Sequence, residues 1–398
     1  MMESKLALHG GKPVRQSLLP YGRQWIDEED IAAVVAVLRS DWLTTGPMVT
    51  RLEQAFAGMV GTREAVVVSS GTAALHAAMY ALDIGPGDEV IVPAMTFAAT
   101  ANCVVFQGGR PVFADVDPET LLLTPEQAEA RISPRTKAII AVDYAGQACD
   151  YDALQAIADR HGVPLVADAC HALGGRYKGR PVGSLAVLNT FSLHPVKHIT
   201  SGEGGVITTS DATLAARMRR FRNHGITTDH HQRATAGSWF YEMVDLGYNY
   251  RLTDLQCALA LSQLRKLPTW VERRQAIARR YDTAFASLPA IQPLRVRPEV
   301  SHAYHLYVIR LDLSQLKGTR AEIFAALRAE GIGVNVHYIP VHLHPYYRQH
   351  FATRPGMCPV AEAAYEQILS LPLFPRMQER EIDEVIAAVT KVVQAYGV

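Results

Sequence analysis

Eight lysines occur in the chain, and Lys197 stands apart from the other seven. Lys5 and Lys12 lie in the leading segment, Lys137 precedes a strand and Lys178 sits in a Tyr-Lys-Gly-Arg turn. Lys266 closes a helix, Lys317 is in a loop and Lys391 belongs to the last helix. Lys197 instead follows an apolar strand in Ser192-Leu193-His194-Pro195-Val196-Lys197 and runs into Ser201-Gly202-Glu203-Gly204-Gly205. A lysine at a strand end, beside a glycine-rich turn, suits a depressed pKa and Schiff-base chemistry; the plain alternative is a solvated loop lysine. Asp168 ends a second apolar strand, Val163-Pro164-Leu165-Val166-Ala167-Asp168. A carboxylate there is either a cap for the next segment or a functional acid at the ligand-binding edge of a parallel sheet.

A third stretch adds to this pair. Val66-Val67-Val68-Ser69-Ser70-Gly71-Thr72-Ala73 reads as strand, tight turn and helix start. Small and hydroxyl residues at a helix N-terminus offer free N–H groups and the positive dipole end to an anion, although Ser/Thr capping alone would give the same pattern. Phe97, after Pro93-Ala94-Met95-Thr96, either covers a planar ring or packs in the core. Lysine for an aldehyde, carboxylate for a ring nitrogen and a cradle for phosphate are together what pyridoxal phosphate requires.

The elements that must position these groups alternate. Strands are expected at Ala65–Ser69, Glu89–Pro93, Pro111–Asp115, Ala138–Asp143, Pro164–Asp168, Val187–Ser192 and Gly205–Thr209. Helices are expected between them, as at Ala73–Leu82, Pro125–Arg131 and Tyr151–Arg160. Thr124-Pro125-Glu126-Gln127 and Thr253-Asp254-Leu255-Gln256 are capping boxes, the second opening a helix to about Leu267. The alternation implies an α/β layer structure with a mostly parallel sheet between helices. Beyond it come a helix Trp270–Leu288, a strand His305–Leu311, a helix Arg320–Glu330, a strand Val334–Ile339 and two final helices. The expected division is a large domain, residues 1–260, and a smaller C-terminal α+β domain, residues 261–398.

Composition removes several classes. With 398 residues and 39 basic against 39 acidic side chains, the chain has no global field for nucleic acid or an anionic membrane. Five scattered cysteines without a CxxC pair argue against a disulfide framework and a structural zinc site. The leading residues meet Gly and Pro before any run of signal-peptide length, and no run of membrane-spanning length occurs; the expected setting is a reducing cytoplasm. GxGxxG, GxxxxGK[ST] and HExxH are all missing. His337, His342, His344 and His350 could suggest a metal, yet neither carboxylate nor Cys lies among them, so substrate contact or packing is preferred. Arg217, Arg219, Arg220 and Arg222 read as a solvated face or an interface.

The motifs, in order, resemble those of the DegT-type sugar aminotransferases. The resemblance runs from Trp42-Leu43-Thr44-Thr45-Gly46-Pro47 to His337-Tyr338-Ile339-Pro340. It passes through Ser70-Gly71-Thr72, Asp168-Ala169-Cys170-His171, Ser192 to Lys197, Gly202-Glu203-Gly204-Gly205, Arg222-Asn223-His224-Gly225 and Gly247-Tyr248-Asn249-Tyr250-Arg251. It implies the fold-type I architecture, pyridoxal 5'-phosphate as cofactor, and Lys197 and Asp168 as the catalytic pair. By the same resemblance His171 corresponds to a residue near the cofactor's phenolic oxygen, Gly71, Thr72 and Ser192 to phosphate ligands, and Phe97 to the aromatic over the ring. Asn249 corresponds to a residue that reaches the neighbouring subunit's phosphate, which implies a homodimer with shared active sites. Thr45, Arg251, His337 and Tyr338 fall on the substrate side. Relatives in which histidine replaces the lysine are dehydratases; here Lys197 is present, so transamination follows.

Within the family, Ser40 to Pro47, Asp143-Tyr144-Ala145-Gly146 and His194-Pro195-Val196-Lys197 look most similar to the pseudaminic-acid branch. That branch uses L-glutamate to aminate a UDP-linked 4-keto-6-deoxy sugar. Other nucleotides, other sugars or the 3-keto position stay open, as does a regulatory protein that retains the fold. A lyase or desulfurase would need a reactive cysteine; Cys170 reads rather as a small core residue.

Overall fold

The computed structural model describes residues 5–228, 233 and 235–398; the first four residues of the leading segment, and residues 229–232 and 234, lie outside it. Seven strands form the central sheet: β1 (Glu64–Val68), β2 (Glu89–Pro93), β3 (Arg110–Ala114), β4 (Thr136–Val142), β5 (Leu165–Asp168), β8 (Leu188–Ser192) and β9 (Gly205–Thr209), in the order β1-β9-β8-β5-β4-β2-β3. Only β9 runs against its neighbours, pairing antiparallel with β1 and β8. Val66, Val67, Ile139, Ile140 and Val166 are wholly buried, because helices cover both faces of this sheet.

Seven helices lie along this part of the chain: α1 (Glu28–Leu38), α2 (Pro47–Val60), α3 (Gly71–Ala81), α4 (Ala99–Phe106), α5 (Pro125–Glu129), α6 (Tyr151–His161) and α7 (Ala212–Phe221). Local chemistry sets their starts. Ser70 accepts from the Ala73 N–H to cap α3, and Asp150 from the Ala153 N–H to cap α6. The Thr253 box is reciprocal with Gln256 and opens Asp254–Leu264. Thr124 delivers only the forward half of its box, accepting from the Gln127 N–H. The following helix begins at Leu267, earlier than Trp270, since Pro268 lies in a first turn where its missing N–H is not needed.

β10 (Ile291–Pro293), β12 (Tyr307–Leu311) and β13 (Ile368–Leu371) make a separate sheet in the order β10-β12-β13; β6 (Arg176–Tyr177), β7 (Arg180–Pro181) and β11 (Val300–Ser301) make a third. The expected strand Val334–Ile339 is not one. β10 and β13 occupy both edges of β12, and residues 334–339 touch β13 through a single bridge, Asn335 to Ser370. A second hydrophobic core gathers Ile277, Tyr281, Phe285, Ile309, Leu327, Leu369 and Val389, and takes in Leu6 and Leu19 from the leading segment. That segment is tied there by Glu330, whose buried carboxylate accepts from the Ala7 and Val14 N–H groups at 2.8 and 2.9 Å and pairs with Lys391 at 2.8 Å. Among the described residues no helix is long and apolar enough to cross a membrane.

Candidate active site

The C-terminal ends of the parallel strands converge on one cleft, where open α/β sheets bind ligands. β5 ends at Asp168 and β8 at Ser192, and the two strands are adjacent, with Asp168 opposite Thr190. Asp168 is buried; Oδ2 accepts from the Thr100 hydroxyl at 2.7 Å, and Thr96 lies 2.7 Å beyond Thr100. Its Oδ1 accepts from the Cys170 N–H at 3.3 Å. The carboxylate is therefore held from both sides by α4 and by its own strand end.

Lys197 lies in the connection from β8 to β9, where its N–H donates to the His194 carbonyl at 2.9 Å. The residue as a whole is half-buried. Desolvation nevertheless lowers its pKa, against upward pulls from Cys170 and Asp168. A larger share of neutral amine at neutral pH follows, which is the form that acts as nucleophile or base. Burial pushes the Cys170 thiol well up, which leaves it a packing residue.

His171 is buried next to this pair. Its Nε2 lies 3.0 Å from the Tyr338 hydroxyl, and its Nδ1 is buried without a protein partner. His337 Nδ1 lies 2.8 Å from the Ser370 hydroxyl, and its carbonyl accepts from the buried Tyr144 hydroxyl. Phe97 is 58% exposed at the mouth, 5.8 Å from the Tyr338 ring, so it is not a core aromatic.

The start of α3 closes the other side. A Cβ on Gly71 would lie 2.8 Å from the Ser192 Cβ, and one on Gly205 would lie 2.1 Å from the Ser70 carbonyl oxygen. Glycine at both positions lets three strand ends and a helix N-terminus approach closely. The N–H groups of Gly71 and Thr72 open the first turn, where helices have no internal acceptor.

Thr45 and Arg251 gather elsewhere. With Trp42, Arg219, Arg222 and Asn223 they line a cavity of about 1050 Å³ that Lys197 does not line. Thr45 is held at φ +54°, and Arg251 donates to Asn223 Oδ1 at 2.7 Å. Asn249 is exposed beside it, its backbone paired with Asn223. The arginine run is structural in large part: Arg222 pairs with Glu53 at 2.5 Å, Arg219 with Glu53 and Glu64 at 3.2 and 2.9 Å, and Arg217 with Asp83. The buried His342 lies 2.8 Å from Glu362, and His350 is exposed with its ring tilted against Tyr346. Among the described residues no three His, Cys, Asp or Glu side chains are arranged to hold a metal.

Three site residues escaped sequence reasoning. Thr100, Tyr144 and His305 come from α4, the turn after β4 and the approach to β12; Tyr144 lies in a motif quoted for the family branch, but no local signal gives any of the three a role. The cleft as a whole fits a planar, phosphorylated aldehyde. It has a desolvated lysine, a braced carboxylate, an uncommitted imidazole nitrogen, and a helix start that any Cβ at Gly71 would obstruct.

Known proteins agree with that chemistry. The family described as DegT/DnrJ/EryC1/StrS aminotransferase matches residues 24–390. The spore coat polysaccharide biosynthesis protein SpsC of Bacillus subtilis is 43% identical over 382 residues, 96% of this chain and 98% of the relative. The putative sugar aminotransferase Spr1654 of Streptococcus pneumoniae, in its PLP-form, is 34% identical with a TM-score of 0.89, over 95% of this chain and 99% of that one. Helicobacter pylori PseC, an aminotransferase involved in pseudoaminic acid biosynthesis, is 32% identical with a TM-score of 0.89, over 96% of this chain and 100% of that one. With the family matched over nearly its whole length and the sheet shared with these enzymes, the chain belongs to the DegT/DnrJ/EryC1/StrS family: it is a fold-type I, pyridoxal-phosphate-dependent sugar aminotransferase.

Proposed function

We propose that the enzyme moves an amino group from L-glutamate to a UDP-linked 4-keto-6-deoxy sugar, in sugar-nucleotide synthesis of the pseudaminic-acid type. The observation that carries this reading is that Asp168 ends β5 while Lys197 follows the adjacent β8, near enough for the carboxylate to pull the lysine's pKa upward, beside the α3 N-terminus that Gly71 brings against Ser192. Resemblance to PseC, described as acting in pseudoaminic acid biosynthesis, supports the sugar class.

In this reading Lys197 and Asp168 are catalytic. Lys197 would hold the cofactor's aldehyde, Asp168 would face its ring nitrogen and His171 its phenolic oxygen. Gly71, Thr72 and Ser192 would take the phosphate, Phe97 would cover the ring, and Thr45, Arg251, His337 and Tyr338 would serve the substrate, Thr45 and Arg251 from the separate cavity that Lys197 does not line. Pyridoxal phosphate, when bound, supplies an electron sink for negative charge at the substrate carbon. The chain does the rest. Lys197, tethered and with a lowered pKa, takes the proton from the glutamate α-carbon and later delivers one to C4 of the sugar. Thr96 and Thr100 hold the Asp168 carboxylate in one orientation through both halves.

The active form is a homodimer in which Asn249 serves the partner's phosphate. Support comes from the stretch around it, where Trp239, Phe240, Met243, Val244 and Leu246 are all more than half exposed, an apolar surface of the kind subunits cover. The reading puts the reaction in the cytoplasm, in keeping with five cysteines that are all unbridged. A second reading, amination of a different keto sugar for a surface polysaccharide, draws on the 43% identity with SpsC. Competition among UDP- and dTDP-linked 3-keto and 4-keto sugars, with L-glutamate as donor, separates them. Preference for the UDP-4-keto-6-deoxy sugar by about tenfold or more in kcat/KM supports the first. Preference for any other member of the panel rejects it.

A further inference from the structure

The ring packed on His171 belongs to His305. Their centroids are 4.4 Å apart at 48°, closer than Tyr338 at 5.9 Å or Tyr144 at 6.3 Å. His305 is itself buried and its Nδ1 has no protein partner; His198, 5.9 Å further along, carries a third such nitrogen. Buried polar atoms are nearly always hydrogen-bonded, and leucine or phenylalanine would fill this space without the desolvation cost of imidazole. A chain of three imidazoles with uncommitted nitrogens beside Lys197 therefore points to a role other than filling.

The backbone around His305 is gripped from two sides. The Ala303 N–H donates to the Gly146 carbonyl at 2.9 Å and the Leu306 N–H to the Ala145 carbonyl at 3.1 Å. Gly146 has φ +112°, and a Cβ there would lie 2.7 Å from the Tyr304 nitrogen and 2.9 Å from both the His305 nitrogen and the His171 carbonyl oxygen. From behind, the buried Arg274 donates to the carbonyls of Tyr304, His305 and Leu373 at 3.1, 3.4 and 3.0 Å. The turn after β4, the chain after β5 and the helix Leu267–Phe285 thus converge on one side chain.

We infer that His305 is a positioning residue: its ring fixes how the His171 imidazole faces, committing Nε2 to the Tyr338 hydroxyl and keeping Nδ1 uncommitted. The groups facing the pair are Lys197, His198, His337, Tyr338, Tyr144 and Arg274. Burial, and then the Lys197 charge, hold both imidazoles far below their usual range, so each ring is neutral and must choose one of two tautomers. Packing against His305 holds the His171 ring where the Tyr338 hydroxyl makes that choice. The catalytic consequence rests on the proposed function, in which His171 faces the cofactor; the geometry does not.

The test is a long-range proton–nitrogen correlation spectrum of histidine-labelled, cofactor-free protein, with His171→Gln to assign the signal. Wild type should show His171 as one neutral tautomer, with two well-separated nitrogen shifts that hold from pH 6 to 8 (about the range in which an ordinary histidine titrates). His305→Phe keeps the ring volume, and His305→Leu is the smaller second variant. In either, the His171 shifts should collapse toward the average of exchanging tautomers. In the loaded enzyme kcat should fall about tenfold while KM for glutamate moves less than about threefold. Averaged His171 shifts already in wild type, or fixed shifts in either folded variant, overturn the inference. Loss of the sugar preference proposed above would leave the spectra untouched, so the two failures are distinguishable.

Discussion

Replacing Gly71 by alanine tests the cradle directly. The new Cβ would stand 2.8 Å from the Ser192 Cβ and 3.2 Å from its Oγ. Apolar contacts are comfortable at about 3.5–4.0 Å, so the start of α3 and the end of β8 must part by about 1 Å. Overpacking of this kind costs about 1–3 kcal/mol. The separation also draws the Gly71 and Thr72 N–H groups away from a phosphate, and a hydrogen bond to a charged acceptor is worth about 1.5–3 kcal/mol. Losing one such bond weakens cofactor binding about 10- to 100-fold. Absorbance titration of apo protein with pyridoxal phosphate measures this, and so does the extra thermal stability that the cofactor confers, which should shrink in step. Gly58→Ala is the control. It lies exposed in α2 with nothing within 4 Å of a new Cβ, so it should leave affinity unchanged and stabilise the helix by up to about 1 kcal/mol. Wild-type cofactor affinity in Gly71→Ala would refute the cradle.

Thr100→Val removes the 2.7 Å bond that orients Asp168 while keeping the side-chain shape; kcat should drop about tenfold and Thr100→Ser should restore it. An unchanged kcat in the valine variant removes Thr100 from the site. Glu53 accepts from the Val67 N–H at 3.1 Å and pairs with Arg222 at 2.5 Å, so Glu53→Ala strands a largely buried guanidinium and should lower stability by about 3 kcal/mol in chemical denaturation. A midpoint equal to wild type would contradict that. Burial pushes His76 down to about 4 from an ordinary 6.5, so the unfolded chain takes up its proton first. Its contribution is fully present above pH 6.5 and is lost progressively as pH falls toward about 4. Denaturation at several pH values should show that loss in wild type and a smaller one in His76→Phe; equal slopes would exclude His76.

What could be seen in advance followed how local the signal was. Glu89–Pro93 and Gly205–Thr209 stand where their short apolar runs put them, because a strand covered on both faces is mainly apolar at its centre. Ile368–Leu371 escaped notice: three apolar residues and a serine after a helix have no period of their own, and only pairing with β12 makes them a strand. The alternation in Val334–Ile339 mimics a strand, yet it serves to turn Tyr338 toward His171 and His337 toward Ser370. The reversed direction of β9 depends on the whole topology and leaves no mark in five residues. Lys197 and Asp168 were visible because strand ends mark them. Thr100, 68 residues from the carboxylate it orients, and Tyr144, 193 residues from the carbonyl it holds, were not. Tertiary proximity over such separations has no sequence period to betray it.

The central claim is amino transfer to a nucleotide-linked keto sugar at the Lys197 site. The most direct measurement is mass spectrometry of the sugar nucleotide after incubating the loaded enzyme with 15N-labelled L-glutamate and a UDP-4-keto-6-deoxy sugar. The predicted result is a product carrying the labelled nitrogen, with an equal amount of 2-oxoglutarate, in wild type and in neither Lys197→Ala nor Asp168→Asn. A sugar recovered without label, or one labelled equally well by Lys197→Ala, would contradict the account.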